Sequence, residues 1–376
     1  MKIILDLSYC NPKKPTGVSI YGMRLLEAVV KANIPVCLFV SHQNRSYFCE
    51  VYPQIESQLV GSECISNILF NFLKRFYLKK ERKRACAKLR ADIIIIPFLT
   101  LWSIVPSKII SVVVVHDVQP FLLVKGIKRY LYRFLLKQRL YSAHKIVTIS
   151  EYSKKEILEL FPSIGNKIAV IYNSVIMDEP SVTEKVMINH PYILDVNNLA
   201  EYKNHLTIIK AFECIAPHIP HFLVIKARKN NYWYSVLYPY IQTHNLQSRV
   251  IILDENLSGP EMSALYSRAD LFVSSSSMEG FGYTPIEAAI CQTPVISSKC
   301  GALWETTAGK LNYYEPETDY IRLSERILSI LNSPPLESDL SSLSDYFKER
   351  YSEERQFQSI LDVLNSQLIC WDSAIS

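Results

Sequence analysis

Short apolar runs alternate with longer amphipathic stretches along the first half of the chain. The apolar runs are typical of buried parallel strands and read KIILDLS, VCLFV, DIIIIPF, IISVVVVHD, KIVTIS and KIAVIYN. Helical patterns stand between them near residues 17–32, 68–90 and 127–143. This rhythm predicts βαβ units around a parallel sheet.

The same rhythm restarts after a polar linker near residues 176–190. Runs reading YILDVNN, HFLVIKA, RVIILDE, LFVSSSS and PVISS alternate there with helical patterns. We therefore expect two doubly wound α/β domains that bind ligands beyond the carboxyl ends of their strands. The predicted bounds are 1–178 for the first domain, 179–190 for the linker, 191–350 for the second domain, and 351–376 for a C-terminal helix that returns to the first domain.

Composition and charge support this division. The chain has 376 residues, of which 49% are hydrophobic and 20% charged, and this composition excludes a disordered protein. Residues 1–175 carry 26 Lys/Arg and 11 Asp/Glu, whereas residues 176–376 carry 15 and 25. The nine cysteines never stand as C-x-x-C, which indicates thiols in a reducing compartment rather than a disulfide framework or a zinc site.

Residues 93–115 carry one charge, Lys108, and are long enough to span a bilayer. Pro97 and Pro106 divide this stretch into short β-branched runs, which favours two buried strands over a membrane helix. The N-terminal apolar run ends at Asp6 and is too short for a secretory signal, so we expect a cytoplasmic protein.

Two common nucleotide-binding patterns are missing from the sequence. The first strand is not followed by G-x-G-x-x-G, since Gly17 and Gly22 stand alone, and this argues against a dinucleotide cofactor. No D-x-D pair occurs, which argues against a nucleotide held through a metal ion. We therefore expect neither a cofactor nor a metal.

The stretch ADLFVSSSSMEGFGYTPIEAAICQTPVISS carries the most informative chemistry. Glu279 and Glu287 stand eight positions apart across a strand-to-helix turn. Gly280 and Gly282 allow a ligand to approach the backbone closely, and the helix N-terminus that follows suits a phosphate or diphosphate. Carboxylates on either side of such a site can hold sugar or ribose hydroxyls.

An alternative reading needs no ligand. Thr284 followed by Pro285 is a favourable helix start, with Thr284 as the N-cap. Glu287 would then be the third helical residue of a T-x-x-E capping box. Glu279 has no such structural explanation, and the alternative for it is a solvated carboxylate in a loop.

The run EGFGYTPIEAAICQTPVI resembles the E-x7-E signature of the family 4 glycosyltransferases. Further runs resemble motifs of the same family, in the same order: TGVSIYGMRLLEAV, VVVVHD, VTISEYSKKEI, VIYNSV, NNLAEYKNH and GALWETTAG. The resemblance implies the GT-B fold, with two Rossmann-like domains facing across a cleft. It also implies a nucleotide-sugar donor, retention of anomeric configuration, and no metal.

The resemblance assigns roles to matching residues. Glu287 would bind the donor ribose, Glu279 the donor sugar near the reacting centre, and Lys203 the diphosphate. His116 would face the donor sugar, although a strand-end histidine hydrogen-bonded in the cleft is the alternative, and Gly17 would lie in a loop near the diphosphate. The remaining donor-binding residues would be Gly280, Phe281, Gly282, Tyr283 and Thr284.

The chain departs from the family where Asn198 replaces the arginine that accompanies Lys203 on the diphosphate. Losing a cation weakens stabilisation of an anionic leaving group. Arg228 could supply the missing charge, as could Lys226, unless both belong to a solvated basic loop. Gln292 replaces a glycine, which we expect to affect loop geometry more than chemistry.

Residues 74–90 contain nine basic residues and one acid, directly after the apolar run ILFNFL. Residues 125–145 add seven basic residues and no acid. Such helices suit an anionic membrane surface, whereas no nucleic-acid-binding motif accompanies the charge, and simple solubility is the remaining alternative. The expected membrane-binding residues are Lys79, Lys80, Arg82, Lys83 and Arg84.

The sequence thus predicts a retaining glycosyltransferase at the inner face of the cell membrane, acting in surface polysaccharide biosynthesis. It would move a hexose, with mannose suggested by resemblance to bacterial polysaccharide mannosyltransferases, from a GDP-, UDP- or dTDP-linked donor to a lipid-linked glycan. The alternatives are a catalytically silent scaffold homologue, and a nucleotide-sugar isomerase or glycan phosphorylase of the same fold.

Overall fold

The structure is a computed structural model that describes residues 2–12, 17–60, 84, 91–99, 109–118 and 126–375. The chain divides into two compact units. The first unit comprises residues 1–173 and 353–376, and the second unit comprises residues 174–352. The second unit therefore begins before residue 178, the predicted end of the first domain, and the helix at the C-terminal end belongs to the first unit.

The first unit contains a seven-stranded parallel sheet in the order β3-β2-β1-β4-β5-β6-β7. Its strands are β1 (Ile3–Leu7), β2 (Val36–Ser41), β3 (Glu56–Val60), β4 (Ile93–Ile96), β5 (Ile110–Val115), β6 (Lys145–Thr148) and β7 (Ile168–Val170). Its helices are α1 (Gly17–Lys31), α2 (Arg45–Val51), α3 (Ile127–Ser142), α4 (Glu151–Leu160) and, from the C-terminal segment, α12 (Glu353–Ile375).

The second unit contains a six-stranded parallel sheet in the order β10-β9-β8-β11-β12-β13. Its strands are β8 (Tyr192–Val196), β9 (Phe222–Lys226), β10 (Val250–Leu253), β11 (Leu271–Ser274), β12 (Val295–Ser298) and β13 (Asn312–Tyr314). Its helices are α5 (His205–Ile215), α6 (Tyr238–Thr243), α7 (Gly259–Ser267), α8 (Tyr283–Ile290), α9 (Leu303–Thr306), α10 (Tyr320–Asn332) and α11 (Glu337–Arg350).

The apolar stretch from residue 93 contributes two neighbouring strands of the first sheet. Every residue of β4 and β5 is buried, as expected for parallel strands covered on both faces. The prediction of strands rather than a membrane helix is therefore confirmed. None of the helices in the described ranges combines the length and hydrophobicity that crossing a bilayer requires.

The sequence patterns missed several elements, among them two strands with few apolar residues and one short helix. Strand β3 reads ESQLV, and β13 is a three-residue strand reading NYY. Both lie at sheet edges, where one neighbouring strand suffices and an alternating or continuous apolar pattern is not required. Helix α2 is seven residues long, too short to show a helical period.

Gln292 adopts a backbone conformation that favours glycine. It is the second residue after the end of α8, and its φ angle of +61° lies in the left-handed region. A side chain there costs about 1 kcal/mol relative to glycine. The prediction that this departure affects loop geometry thus has a local cause, because the family's glycine would remove the strain.

Candidate active site

Three neighbouring strands of the second sheet direct their following loops to one edge. The strands β8, β11 and β12 are adjacent and parallel, so their carboxyl ends lie side by side. The loops that follow are residues 197–204, 275–282 and 299–302. Ligands of doubly wound sheets bind at such an edge.

Lys203 and Glu279 meet at this edge. The Lys203 ammonium donates a short hydrogen bond to Oε1 of Glu279, and both side chains are about 12% exposed. Oγ of Ser276 donates to the same carboxylate oxygen at 2.9 Å. The structure therefore brings together a cation and a carboxylate that stand 76 positions apart in the sequence.

Serines after β11 fix the loop that carries Lys203. Oγ of Ser275 donates to the carbonyl oxygens of Lys203 and Asn204, at 3.0 and 2.9 Å. The Ser277 N–H donates to the Tyr202 carbonyl at 2.8 Å. The SSSS run, read from sequence only as the end of a strand, thus holds two of the three loops together.

The third loop supports the backbone of Glu279. Gly301 has a φ angle of +61°, and a Cβ atom on it would lie 2.4 Å from the Glu279 carbonyl oxygen. The next residue, Ala302, donates its N–H to that carbonyl at 2.9 Å. Only glycine fits at position 301 without displacing Glu279.

Helix α8 begins at Tyr283, earlier than expected. Its N-cap is Gly282, whose φ angle of +86° lies in the left-handed region, and no side chain caps the helix. Thr284 is therefore the second helical residue rather than the N-cap, and Glu287 the fifth rather than the third. The capping-box alternative is wrong, because Gly282 starts the helix before Thr284 can cap it.

A buried tyrosine holds the carboxylate of Glu287 instead. The hydroxyl of Tyr266, at the end of α7, donates to Oε2 of Glu287 at 2.8 Å. Tyr266 has no exposed surface, and burial, reinforced by the Glu287 carboxylate, raises its pKa well above the usual range. The phenol therefore stays protonated and acts as a fixed donor to Glu287.

A buried ion pair between β8 and α5 holds the loop that carries Lys203. Nδ1 of His205, the first residue of α5, lies 2.5 Å from Oδ2 of Asp195 on β8, and both side chains are buried. Nε2 of His205 donates to the Asn198 carbonyl at 2.9 Å. Burial alone would lower the pKa of His205, but the Asp195 carboxylate and the hydrogen bonds to Asp195 and Asn198 raise it. Both ring nitrogens face oxygen acceptors, so we assign His205 as an imidazolium.

Comparisons with known proteins decide the family. Residues 15–179 match the family model described as Glycosyltransferase Family 4, and residues 183–345 match the one described as Glycosyl transferases group 1. The chain belongs to the family 4 glycosyltransferases. The resemblance inferred from the E-x7-E run is therefore confirmed.

Curated relatives of this glycosyltransferase include two mannosyltransferases. The O-antigen chain mannosyltransferase RfbU of Salmonella typhimurium is 31% identical over 208 residues, 55% of this chain and 57% of RfbU. The serotype-specific mannosyltransferase WbdA of Escherichia coli is 23% identical over 194 residues, 50% of this chain and 23% of WbdA. The chain thus matches between about a quarter and somewhat over half of the length of these relatives.

Solved structures with the same fold cover nearly the whole glycosyltransferase. Sucrose-phosphate synthase from Thermosynechococcus elongatus has a TM-score of 0.73 at 19% identity and covers 100% of both chains. Anabaena HepE in complex with UDP has a TM-score of 0.72 at 16% identity, covering 97% of this chain and 100% of that chain. With two parallel-sheet units of this kind, the predicted GT-B fold is confirmed.

The residues expected to replace the missing arginine form hydrogen bonds with the loop after β10. Arg228 donates to the side chain of Asn256 in the loop after β10, and Lys226 donates to the carbonyl oxygen of Glu255 at 2.6 Å. Strand β10 is the edge strand next to β9, whereas Lys203 contacts the loop after β11 on the other side of β8. The role of Arg228 on a diphosphate stays a prediction.

The other expected donor-binding residues follow Glu279 directly. Gly280 and Gly282 are buried, and a Cβ on Gly282 would lie 2.4 Å from the Leu303 side chain. Phe281 is 2% exposed and packs against Tyr283 and Tyr351, so its side chain is part of the core. The first two residues of α8, Tyr283 and Thr284, have partly exposed side chains.

The first unit holds the other expected catalytic residue, His116, directly after β5. Its Nε2 donates to the Pro97 carbonyl at 2.9 Å, and its ring packs edge-on against Tyr21. Burial lowers the pKa of His116 to about 4, so the imidazole is neutral at pH 7. A proton donor needs a pKa near the working pH, which favours a hydrogen-bonding role for this side chain over general acid catalysis.

The remaining predicted residues are Gly17 and the five expected membrane-binding residues. Gly17 is exposed and begins α1. In the part of the chain that the structure describes, no group of three or more His, Cys, Asp or Glu side chains is placed to hold a metal ion. Arg84 is helical and exposed. The other expected membrane-binding residues lie outside the described residues: Lys79, Lys80, Arg82 and Lys83.

The Glu287 carboxylate offers a direct test of donor recognition. Glu287→Gln is expected to weaken nucleotide-sugar binding about 10- to 100-fold, because hydrogen bonds to a charged group contribute about 1.5–3 kcal/mol. Tyr266→Phe, which releases the carboxylate but keeps its charge, is expected to weaken binding less, about fivefold, which corresponds to about 1 kcal/mol. Isothermal titration calorimetry measures both.

Glu213 on α5 provides the matched control, since its Oε2 also accepts a hydrogen bond from a tyrosine, the Tyr240 hydroxyl at 2.6 Å. Glu213→Gln should leave donor affinity unchanged. Equal affinity of wild type and Glu287→Gln would show that Glu287 does not contact the donor.

Proposed function

We propose that this family 4 glycosyltransferase is a retaining hexosyltransferase that takes its sugar from a nucleotide-sugar donor. The observation that carries the proposal is the Lys203–Glu279 contact at the carboxyl ends of β8 and β11. A cation suited to a diphosphate and a carboxylate suited to sugar hydroxyls meet there at a ligand-binding edge. The ligands bound to Anabaena HepE, UDP and UDP-glucose, support a nucleotide-sugar as the donor class.

Each residue has a chemical task in the proposed reaction. The bond between the anomeric carbon and the diphosphate oxygen breaks, and a bond from the acceptor hydroxyl oxygen forms on the same face of the sugar. Lys203 stabilises the negative charge that the leaving diphosphate gains, and that diphosphate takes up the acceptor proton. Glu279 orients the sugar, and Glu287, held by Tyr266, binds the ribose.

Mannose is the proposed sugar, and a lipid-linked glycan in surface polysaccharide biosynthesis is the proposed acceptor. The support is the similarity to RfbU and WbdA, both of which are named mannosyltransferases. We further propose that the protein works at the inner face of the cell membrane, where such an acceptor is accessible. The basic residues from Lys79 to Arg84 are proposed to attract it to anionic lipid.

Donor identity is tested by thermal shift with GDP-, UDP- and dTDP-sugars on the full chain. Stabilisation by one nucleotide-sugar is expected to grow with its concentration as RT ln(1 + [L]/Kd). Transfer to a lipid-linked acceptor with that donor, followed by NMR of the product, should show the anomeric configuration of the donor. Inversion of configuration would overturn the retaining mechanism, and no stabilisation by any of the three classes would overturn the donor assignment.

We also propose that no metal or cofactor takes part, since the sequence has no D-x-D pair. Turnover is expected to survive EDTA unchanged. Abolition by the chelator, with recovery on adding magnesium or manganese, would contradict this proposal.

The second candidate is a catalytically silent homologue that acts as a scaffold in glycan assembly. It rests on Asn198, an exposed residue of the loop that carries Lys203, which stands where the family has arginine. Nucleotide-sugar binding without turnover of any donor would favour this scaffold. An isomerase would need no acceptor, and a phosphorylase would need free phosphate.

A further inference from the structure

Helix α3 of the first unit presents apolar side chains on both of its faces. Its inner face contributes Leu136 and Leu140 to the core beneath the sheet. On the other face, Tyr130 is 76% exposed, Leu131 56% and Phe134 55%. A helix at the surface of a globular protein normally carries polar residues on its outer side.

The spacing shows that the exposed residues form one stripe. Tyr130 and Phe134 are four residues apart, and Tyr141 is seven residues beyond Phe134, so these side chains recur on one side of the helix. Leu131 lies beside them, whereas Leu136 and Leu140 lie on the opposite side. The stripe therefore extends over almost the whole length of α3, and we call it the α3 stripe.

Basic residues border the α3 stripe, and the sequence around it carries no acid. Arg129, Arg133 and Lys137 are exposed, and Lys137 lies over the Tyr141 ring at 5.4 Å from its centre. Between Asp117 and Glu151 the sequence contains no Asp or Glu. The helix thus combines exposed apolar area with charge of a single sign.

This combination points to a particular partner. Apolar patches of this kind indicate an interaction site, since water would otherwise cover them at a cost in free energy. A helix with aromatic and leucine side chains flanked by Arg and Lys suits the headgroup region of an anionic bilayer, where the rings enter the boundary and the cations meet phosphate. A partner protein would need an acidic rim to match the same helix.

We infer that the α3 stripe docks the first unit on an anionic lipid bilayer. The inference deepens the proposed function, since it rests on a membrane-borne acceptor, and it assigns the contact to an element that the sequence identified only by its charge. Leu131 and Phe134 enter the boundary between headgroups and acyl chains. Arg129 and Lys137 contact the lipid phosphates.

The test is cosedimentation of the full chain with two kinds of vesicle, phosphatidylcholine alone and phosphatidylcholine with phosphatidylglycerol. Wild type is expected to bind the anionic vesicles and to detach as salt rises. Leu131→Ser with Phe134→Ser is expected to weaken this binding at least tenfold, because two large apolar side chains no longer enter the bilayer. Tyr234→Ser removes an aromatic side chain that is 62% exposed in the second unit and should bind as wild type does.

Equal binding to neutral and anionic vesicles would overturn the inference, as would an equal loss in the Tyr234→Ser variant. A wild-type dimer that the double variant separates, without any vesicle binding, would also overturn it and make the stripe an interface between copies. If the double variant melts at a lower temperature than wild type, the single variant Tyr130→Ser replaces it in the test. Weaker vesicle binding of Tyr130→Ser at an unchanged melting temperature would support the inference, and unchanged binding would overturn it.

Nucleotide-sugar binding, measured on the same preparations without lipid, separates this inference from the proposed function. Intact donor binding with no vesicle binding would overturn the docking surface and the proposed membrane location, but not the proposed use of a nucleotide-sugar donor. Absence of donor binding in wild type would overturn the proposed function, whatever the vesicles show.

Discussion

Lys203→Ala is expected to lower kcat/KM for the nucleotide-sugar at least 100-fold. Lys203 is the cation that the structure places at the carboxyl end of β8, and removing one group that stabilises transition-state charge typically costs about 100- to 1000-fold. The effect should be large because Asn198 supplies no second cation. Steady-state kinetics with the preferred donor measures the loss, and Lys203→Arg is expected to recover part of it.

Lys185→Ala is the control for Lys203, since Lys185 also faces a glutamate, with its Nζ 3.8 Å from Oε1 of Glu261 in α7, but is half exposed. Its kinetics should equal those of wild type. Arg228→Ala belongs in the same series. A large loss in Arg228→Ala together with none in Lys203→Ala would reverse the assignment of the diphosphate-binding cation.

Asp195→Ala is expected to reduce the free energy of unfolding by about 3–5 kcal/mol. The substitution leaves the His205 imidazolium buried without its counter-charge, and breaking a buried pair in this way carries that cost. Asp195→Leu combined with His205→Leu should cost much less than the sum of the single changes, because no charge is left buried. Urea unfolding gives the free energies.

The control for Asp195 is a second carboxylate–histidine pair on the surface. Oε1 of Glu213 lies 2.7 Å from Nδ1 of His244, and both side chains are about one-third exposed. Glu213→Ala should cost at most about 1 kcal/mol, as exposed pairs do. Similar costs for Asp195→Ala and Glu213→Ala would show that the buried pair is not charged.

The raised pKa of His205 also sets the direction of a pH effect. Its contribution to stability is complete below the unfolded pKa of about 6.5 and is lost as pH rises through the higher folded pKa. The free energy of unfolding of wild type should therefore fall more steeply above about pH 6.5 than that of the double variant in which Asp195 and His205 are both replaced by leucine. Parallel pH profiles would contradict an imidazolium at this position, where Asp195 and Lys203 are the charged neighbours.

Local sequence patterns predict much of this architecture. Buried parallel strands are continuous apolar runs, and for this reason β4, β5, β8 and β11 were predicted where the structure has them. The E-x7-E run likewise marked the strand-to-helix turn that holds Glu279. Edge strands such as β3 carry no such run and were missed.

The site's supporting contacts were not predictable in the same way. Tyr266 reaches Glu287 across 21 positions, and Asp195 reaches His205 across ten, through the packing of separate elements. No local pattern encodes such pairs. The start of α8 was misplaced for a different reason, since the left-handed conformation of Gly282 outweighed the favourable Thr284-Pro285 start.

Helix α12 connects the two ends of the chain within one unit. Its residues Ile360 and Leu364 are buried, and Lys31 of α1 lies 3.3 Å from Glu353 at its start. During vectorial synthesis on the ribosome, residues 353–375 emerge only after the entire second unit. The first unit therefore completes its fold last, although most of it is made first, and the apolar surface that receives Ile360 and Leu364 stays uncovered by this helix for that interval.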